Sequence, residues 1–157
     1  MRVRAWTYSI TLLTALTAAL APAMADWGST RWGMSVAETG TATQGKATPT
    51  TGTAQDAMTD PSLIIGAAGP AEIGRFQFQA KYYYRGGALA HIKYELRPQR
   101  ACGTLSDELY AQYGAPLRER KSGQFQSVVW NNAASNVQLT MMQIGPNYCA
   151  VDIQPAT

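Results

Sequence analysis

Alternation of apolar and polar side chains is clearest between Ile73 and Tyr84. Phe76, Phe78, Ala80, Tyr82 and Tyr84 hold one parity there, and Gln77, Gln79, Lys81 and Tyr83 the other. A period of two puts successive side chains on opposite faces of a strand. Arg85-Gly86-Gly87 reads as a hairpin turn, because glycine accepts positive φ. The period resumes from Leu89 to Arg97, with Ala90, Ile92, Tyr94 and Leu96 inward and His91, Lys93, Glu95 and Arg97 outward. One apolar and one polar face is the signature of an antiparallel sheet covered on one side. Leu63–Ile65, Gln126–Trp130, Asn136–Gln143 and Tyr148–Gln154 predict further strands, with turns at Asn131-Asn132 and Gly145-Pro146-Asn147.

Two helices interrupt this pattern. Ser35-Val36-Ala37-Glu38 fits a capping box and predicts a short helix over 35–44, weak in its body because Thr39, Gly40, Thr41 and Thr43 are poor helix formers. A second helix is predicted over 104–113, with Thr104 as N-cap and Asp107 at N3 beside Glu108. Leu105, Leu109 and Tyr113 form its apolar stripe, and Gly114 and Pro116 end it. Between the helix at 35–44 and the first strand, residues 45–61 are rich in Thr, Ala, Gly and Pro and read as a long mobile loop. The expectation is an α+β domain: an antiparallel sheet of five to six strands, two helices packed on one face, and the order helix, strands, helix, strands.

The first 25 residues follow a different pattern. Arg2 and Arg4 precede the uncharged run Ile10–Leu20, and Ala23-Met24-Ala25 supplies small-x-small before Asp26. That is the pattern of a general secretory signal peptide, cleaved after Ala25. Its apolar stretch is shorter than the ~20 residues of a membrane span. The protein is therefore expected in the periplasm or outside the cell, as one domain over 26–157. Cleavage also takes two arginines away, leaving 11 basic against 10 acidic residues, so the basic pI of the whole chain says little about partners. The basic residues are scattered, which argues against a nucleic-acid partner. Only Arg118, Arg120 and Lys121 cluster; with Glu119 between them and Ser122-Gly123 after, they read as a solvated hairpin, an anion-binding role being the alternative. No second apolar stretch suggests a membrane anchor.

Cys102 and Cys149 are the only cysteines. In an oxidising compartment an even count predicts a disulfide, here between the last strand and the start of the second helix. A redox pair or half a metal site is the alternative. Against these stand the wide spacing and a single histidine, His91, since redox pairs favour Cys-x-x-Cys and zinc wants four ligands.

Several short motifs carry a resemblance. They are Trp32-Gly33-Met34-Ser35 with Glu38, Phe76–Phe78, the hairpin around Leu89, Cys102 before Leu105, Tyr113-Gly114-Ala115-Pro116, Trp130 and Cys149. Together they resemble a group of small secreted bacterial proteins of uncharacterised function, over most of residues 27–155. More remotely, the layout is similar to the β-lactamase-inhibitor-protein-like fold, which small lipoproteins that help assemble outer-membrane proteins share. The resemblance implies a periplasmic α+β binding module of inhibitor or assembly-factor type. The chain departs from those lipoproteins in lacking their lipidated cysteine.

Candidate chemistry is sparse. His91 stands on a polar strand face beside Lys93 and Glu95, without a Gly-x-Ser-x-Gly elbow that would supply a nucleophile. Asp107 and Glu108 are neighbours on a helix and diverge by about 100°, so they do not face one cleft. Gly66–Gly69 lacks the Gly-Lys-Ser/Thr of a phosphate loop. No metal, cofactor or catalytic residue is assigned. Exposed aromatics are the remaining candidates, since Tyr and Trp anchor interfaces. Trp32, Gln77, Gln79, Tyr83 and His91 are the candidate partner-binding set. The leading reading is a non-catalytic module that binds another envelope or secreted protein. The alternatives are a small hydrolase using His91 and a small-molecule or envelope-glycan binder.

Overall fold

The computed structural model describes residues 26–156, so the leader predicted at 1–25 lies outside the described residues. Strands β1 (Asp26–Trp27) and β2 (Thr30–Arg31) form a small hairpin ahead of helix α1 (Val36–Ala42). The short β3 (Thr48–Pro49) follows, then the meander β4 (Ile64–Ile73), β5 (Phe76–Arg85) and β6 (Ala88–Arg97). Helix α2 (Cys102–Tyr113) leads into β7 (Arg118–Ser122), β8 (Phe125–Asn132), β9 (Val137–Ile144) and β10 (Tyr148–Pro155). Strands β3 to β10 form one antiparallel sheet in the order β3-β4-β5-β6-β10-β9-β8-β7.

The α+β class and the disulfide stand, but the strand count does not. The sheet has eight strands rather than five to six, and the simple helix, strands, helix, strands order fails because the β1–β2 hairpin precedes α1. The extra strands are those without an apolar parity. All five residues of β7 are exposed, so no hydrophobic alternation marks it. Strand β4 is built from small residues for a packing reason. A Cβ at Gly69 would lie 1.8 Å from the Lys46 carbonyl oxygen, and one at Gly66 would lie 2.7 Å from the Tyr84 ring. The incoming chain thus crosses directly over β4. Pro70 is tolerated in the middle of that strand because β3 pairs only with Ala67 and Ala68, which leaves the Pro70 edge without a partner strand.

Two meanders therefore meet back to back at β6 and β10, where Glu95 pairs with Ala150 and Lys93 with Asp152. Both helices lie on one face. Phe76, Phe78, Ala80, Tyr82, Ile92, Tyr94 and Leu96 form that face in the first meander, and Val128, Trp130, Leu139, Met141, Val151 and Ile153 in the second. Ser35 caps α1 as expected: its Oγ accepts from the Glu38 amide, and its own amide donates to Glu38 Oε2 at 2.7 Å. Helix α2 begins at Cys102 rather than after Thr104, continuing the single 3-10 turn Gln99–Ala101, and its N-cap Ala101 makes no side-chain bond. Leu105 and Leu109 are buried, and Tyr110 meets Trp130 edge-on at 5.2 Å. Gly114, at φ 71°, ends the helix, and its carbonyl accepts from Trp130 Nε1 at 3.1 Å. Cys102–Cys149 then ties the start of α2 to β10. The turn between β8 and β9 lies beyond Asn131-Asn132, both of which remain in β8, and Asn136 takes the positive φ.

Candidate functional site on the outer sheet face

Strand parity places the side chains opposite the helices on the outer face. Over the first meander this face is roofed by residues 50–63. The segment predicted as a loop carries β3 and a single 3-10 turn, Ala54–Asp56, and it is fastened to the sheet at several points. The Thr50 amide donates to the Gly66 carbonyl, and Gly52 sits against Ile65. Asp56 Oδ1 lies 2.8 Å from Lys81 Nζ, and Asp60 takes Arg85 at 2.6 Å. The Ser62 hydroxyl and amide, and then Arg85, hold the Asp60 carboxyl down at about 2.

Two ion networks lie side by side on this face, one around Lys81 and one around Asp152. Lys81 Nζ donates to Glu95 Oε1 at 2.6 Å, and Arg97 reaches the other Glu95 oxygen at 3.2 Å. His91 Nε2 is 2.8 Å from Asp152 Oδ1, with Lys93 Nζ 3.9 Å from the same oxygen. Three carboxylates thus face Lys81, Lys93 and Arg97, with His91 beside them. Burial pulls the Lys81 ammonium down, but its hydrogen bonds to Asp56 and Glu95 outweigh that and hold its pKa above the ordinary value. The same contact with Lys81 keeps Asp56 below the usual carboxylate range. Burial pushes the Tyr83 phenol up to about 12.

This arrangement corrects the exposed-anchor expectation. Tyr83 is 0% exposed and His91 4%, although both have the outward parity, because the outer face at that place is roofed. Trp32 belongs to the core on the helix side. Gln77 is exposed and Gln79 half-buried, at the far end of β5 from Tyr83. The five candidates are therefore not brought together on one open surface. Sequence reasoning missed Asp56, Lys81 and Asp152; the polar parity of β5 and β6 was visible, but Asp56, which pairs with Lys81, comes from the segment read as a long mobile loop.

His91 held by Asp152 resembles a base and its orienting carboxylate. A catalytic base must also reach the proton it abstracts. Its free nitrogen, Nδ1, is buried with no hydrogen-bond partner, as is the Tyr83 hydroxyl. What the geometry supports is electrostatic cohesion under the roof. Among the described residues no group of three or more His, Cys, Asp or Glu side chains gathers as a metal site, and no helix is long and apolar enough to cross a membrane.

The second meander presents the same face bare. Phe125, Ser127, Gln138, Thr140 and Met142 are half-buried, Ile144 is 47% exposed, and Arg118 and Arg120 are exposed. A shallow groove of about 310 Å³ runs between Arg118, Arg120, Phe125, Ser127, Gln138 and Thr140. On the helix side, a cleft of about 700 Å³ is lined by Lys46, Glu72, Tyr82, Tyr94, Gln112 and Tyr113, among others. No family model, curated protein or solved structure matches the chain.

Proposed function

We propose that the protein is a secreted or periplasmic, non-catalytic module that binds another envelope or secreted protein through the bare half of its outer sheet face, as an inhibitor or assembly factor does. The observation that carries this reading is the unequal covering of one continuous sheet. The chain supplies its own roof for the first meander and leaves half-buried Phe125 and Met142, exposed Ile144 and two arginines over the second. Mixed apolar and Arg composition is characteristic of protein interfaces. The compartment rests on the leader pattern at 1–25, and the disulfide is compatible with it.

Photo-crosslinking amino acids at Ser127 and Met142, with Ala111 on the exposed side of α2 as control, test the reading in intact cells. A discrete crosslinked protein from the two sheet positions and none from Ala111 is expected. Equal patterns from all three positions overturn it.

A second reading, binding of a small molecule or envelope glycan, is favoured by the helix-side cleft with its Tyr82, Tyr94 and Tyr113 phenols. Calorimetric titration with envelope sugars, comparing the native protein with Tyr113→Ala, tests it: heat lost in the variant supports this reading, and no heat in either overturns it.

A further inference from the structure

The bare half carries charge as well as apolar surface, and that charge is one-sided. Resting on the proposed binding face, we infer that its partner presents an extended acidic polypeptide segment, added along the open edge of β7 with its carboxylates against Arg118 and Arg120.

Strand β7 ends the sheet and pairs only with β8, so its other edge offers backbone donors and acceptors to an added strand. Arg118 pairs with Val129 and Arg120 with Ser127, which puts both guanidinium groups on the outer face. Two positions along a strand span about 7 Å, the same interval at which an added strand projects its own successive side chains onto that face. Neither arginine has an ion-pair partner among the described residues; the ion pairs there belong to Arg75, Lys81, Arg85, His91, Lys93 and Arg97. Glu119 between them has the opposite parity and accepts from Tyr110 on α2 and from Gln126. The rest of the groove is neutral: Phe125, Ser127, Val129, Gln138 and Thr140. Planar guanidinium forks recognise carboxylates with two parallel bonds, so the pair selects for acid at alternate positions. The same charges exclude a second copy of this edge, which would set Arg118, Arg120 and Lys121 against their own kind.

The test uses the folded chain from Asp26 onward and a synthetic octapeptide of alternating Glu and Thr, with the Lys-for-Glu peptide as counterpart. Fluorescence anisotropy reads binding at low and at high salt. The acidic peptide is expected to bind and the basic one not. The double reversal Arg118→Glu with Arg120→Glu is expected to weaken the acidic peptide by about tenfold or more and to admit the basic one. Methylating alternate peptide amides, which removes the edge hydrogen bonds, is expected to abolish binding. Equal binding to the native and reversed proteins overturns the inference. So does capture of phosphatidylglycerol vesicles with no binding of the peptide, which assigns the arginines to a lipid surface. Both arginines are exposed, and an unchanged circular dichroism spectrum and melting temperature confirm that the reversed variant folds. A crosslinked partner at Met142 whose yield ignores the reversal overturns the acidic segment and leaves the binding face standing. Loss of position-specific crosslinking in the native protein overturns the face itself.

Discussion

The two halves of the outer sheet face have the same backbone architecture and opposite treatment. Over β4–β6 the chain folds back on itself, and Asp56 joins Glu95 in holding Lys81, beside Asp152 with His91 and Lys93. Over β7–β9 it leaves Arg118 and Arg120 without carboxylates. The comparison teaches that outward parity on a strand does not mean exposure. Charges in the first half are spent on holding a roof, whereas those in the second remain available to a partner. An inventory of polar residues alone does not separate the two.

The largest break lies beneath the bare half. Replacing Cys102 and Cys149 together by alanine frees a loop of 47 residues in sequence separation and is expected to cost about 4 kcal/mol in denaturant unfolding. Hydrogen exchange then shows β8–β10 losing protection before β4–β6. Uniform loss across both meanders contradicts the division into halves.

Next in size is the roof. Lys81→Met leaves Asp56 and Glu95 facing each other with their shared cation gone, and is expected to cost about 2–3 kcal/mol, below the usual range for a fully buried pair because Lys81 keeps some solvent contact. Limited proteolysis between Ala54 and Ser62 accelerates in the same variant. A stability change within error shows that the roof is held by packing alone.

Acid and alkali sharpen the same point. Asp56 and Asp60 have folded pKa values below their ordinary 3.8, Asp60 at about 2. Carboxylates depressed in this way stabilise the fold above about pH 4, and that contribution is lost as pH falls toward 2. Exchange of the 50–63 amides is expected to rise over that interval, ahead of the second meander. At the other end, Tyr83 and Tyr148, both on the outer face, are raised to about 12 by burial. Neutral phenols favoured by the fold leave stability intact below about pH 10, and it declines as pH rises to 12. Tyr82, Tyr84, Tyr110 and Tyr113 are raised by burial too, so phenolate absorbance against pH is expected to rise late, Tyr83 and Tyr148 last, and to move to lower pH on unfolding.

The smallest effect belongs to the bare arginines. Arg118→Ala with Arg120→Ala is expected to change stability by no more than about 0.5 kcal/mol, as exposed side chains without partners do. A loss as large as that of Lys81→Met, read by thermal unfolding, shows that the arginines serve the fold and breaks the contrast between the halves.

How legible the molecule is in its sequence varies with the physics involved. Strands β5, β6, β9 and β10 have apolar parities that repeat every second residue, and the α1 capping box is a local hydrogen-bond pattern. The turn at Gly86 and Gly87, both at positive φ, is local as well. Strand β4 hides behind its glycines, since Gly66 and Gly69 answer to Tyr84 and to the Lys46 backbone far off in sequence. The candidate site is less legible still. His91 and Tyr83 stand out as the one histidine and the middle of three consecutive tyrosines, but the segment that folds over their face, with Gly52 against Ile65 and Asp56 on Lys81, shows no apolar pattern in its composition.

Local periodicity, capping and cysteine count thus determine the α+β class, most of the strands and the staple between Cys102 and Cys149, because each depends on neighbours a few residues away or on the chemistry of one residue type. Only the tertiary structure decides which face of the sheet is covered and where. That choice is made by contacts such as Asp56 with Lys81 and His91 with Asp152, between segments 25 to 61 residues apart, for which no local pattern of side chains carries a mark.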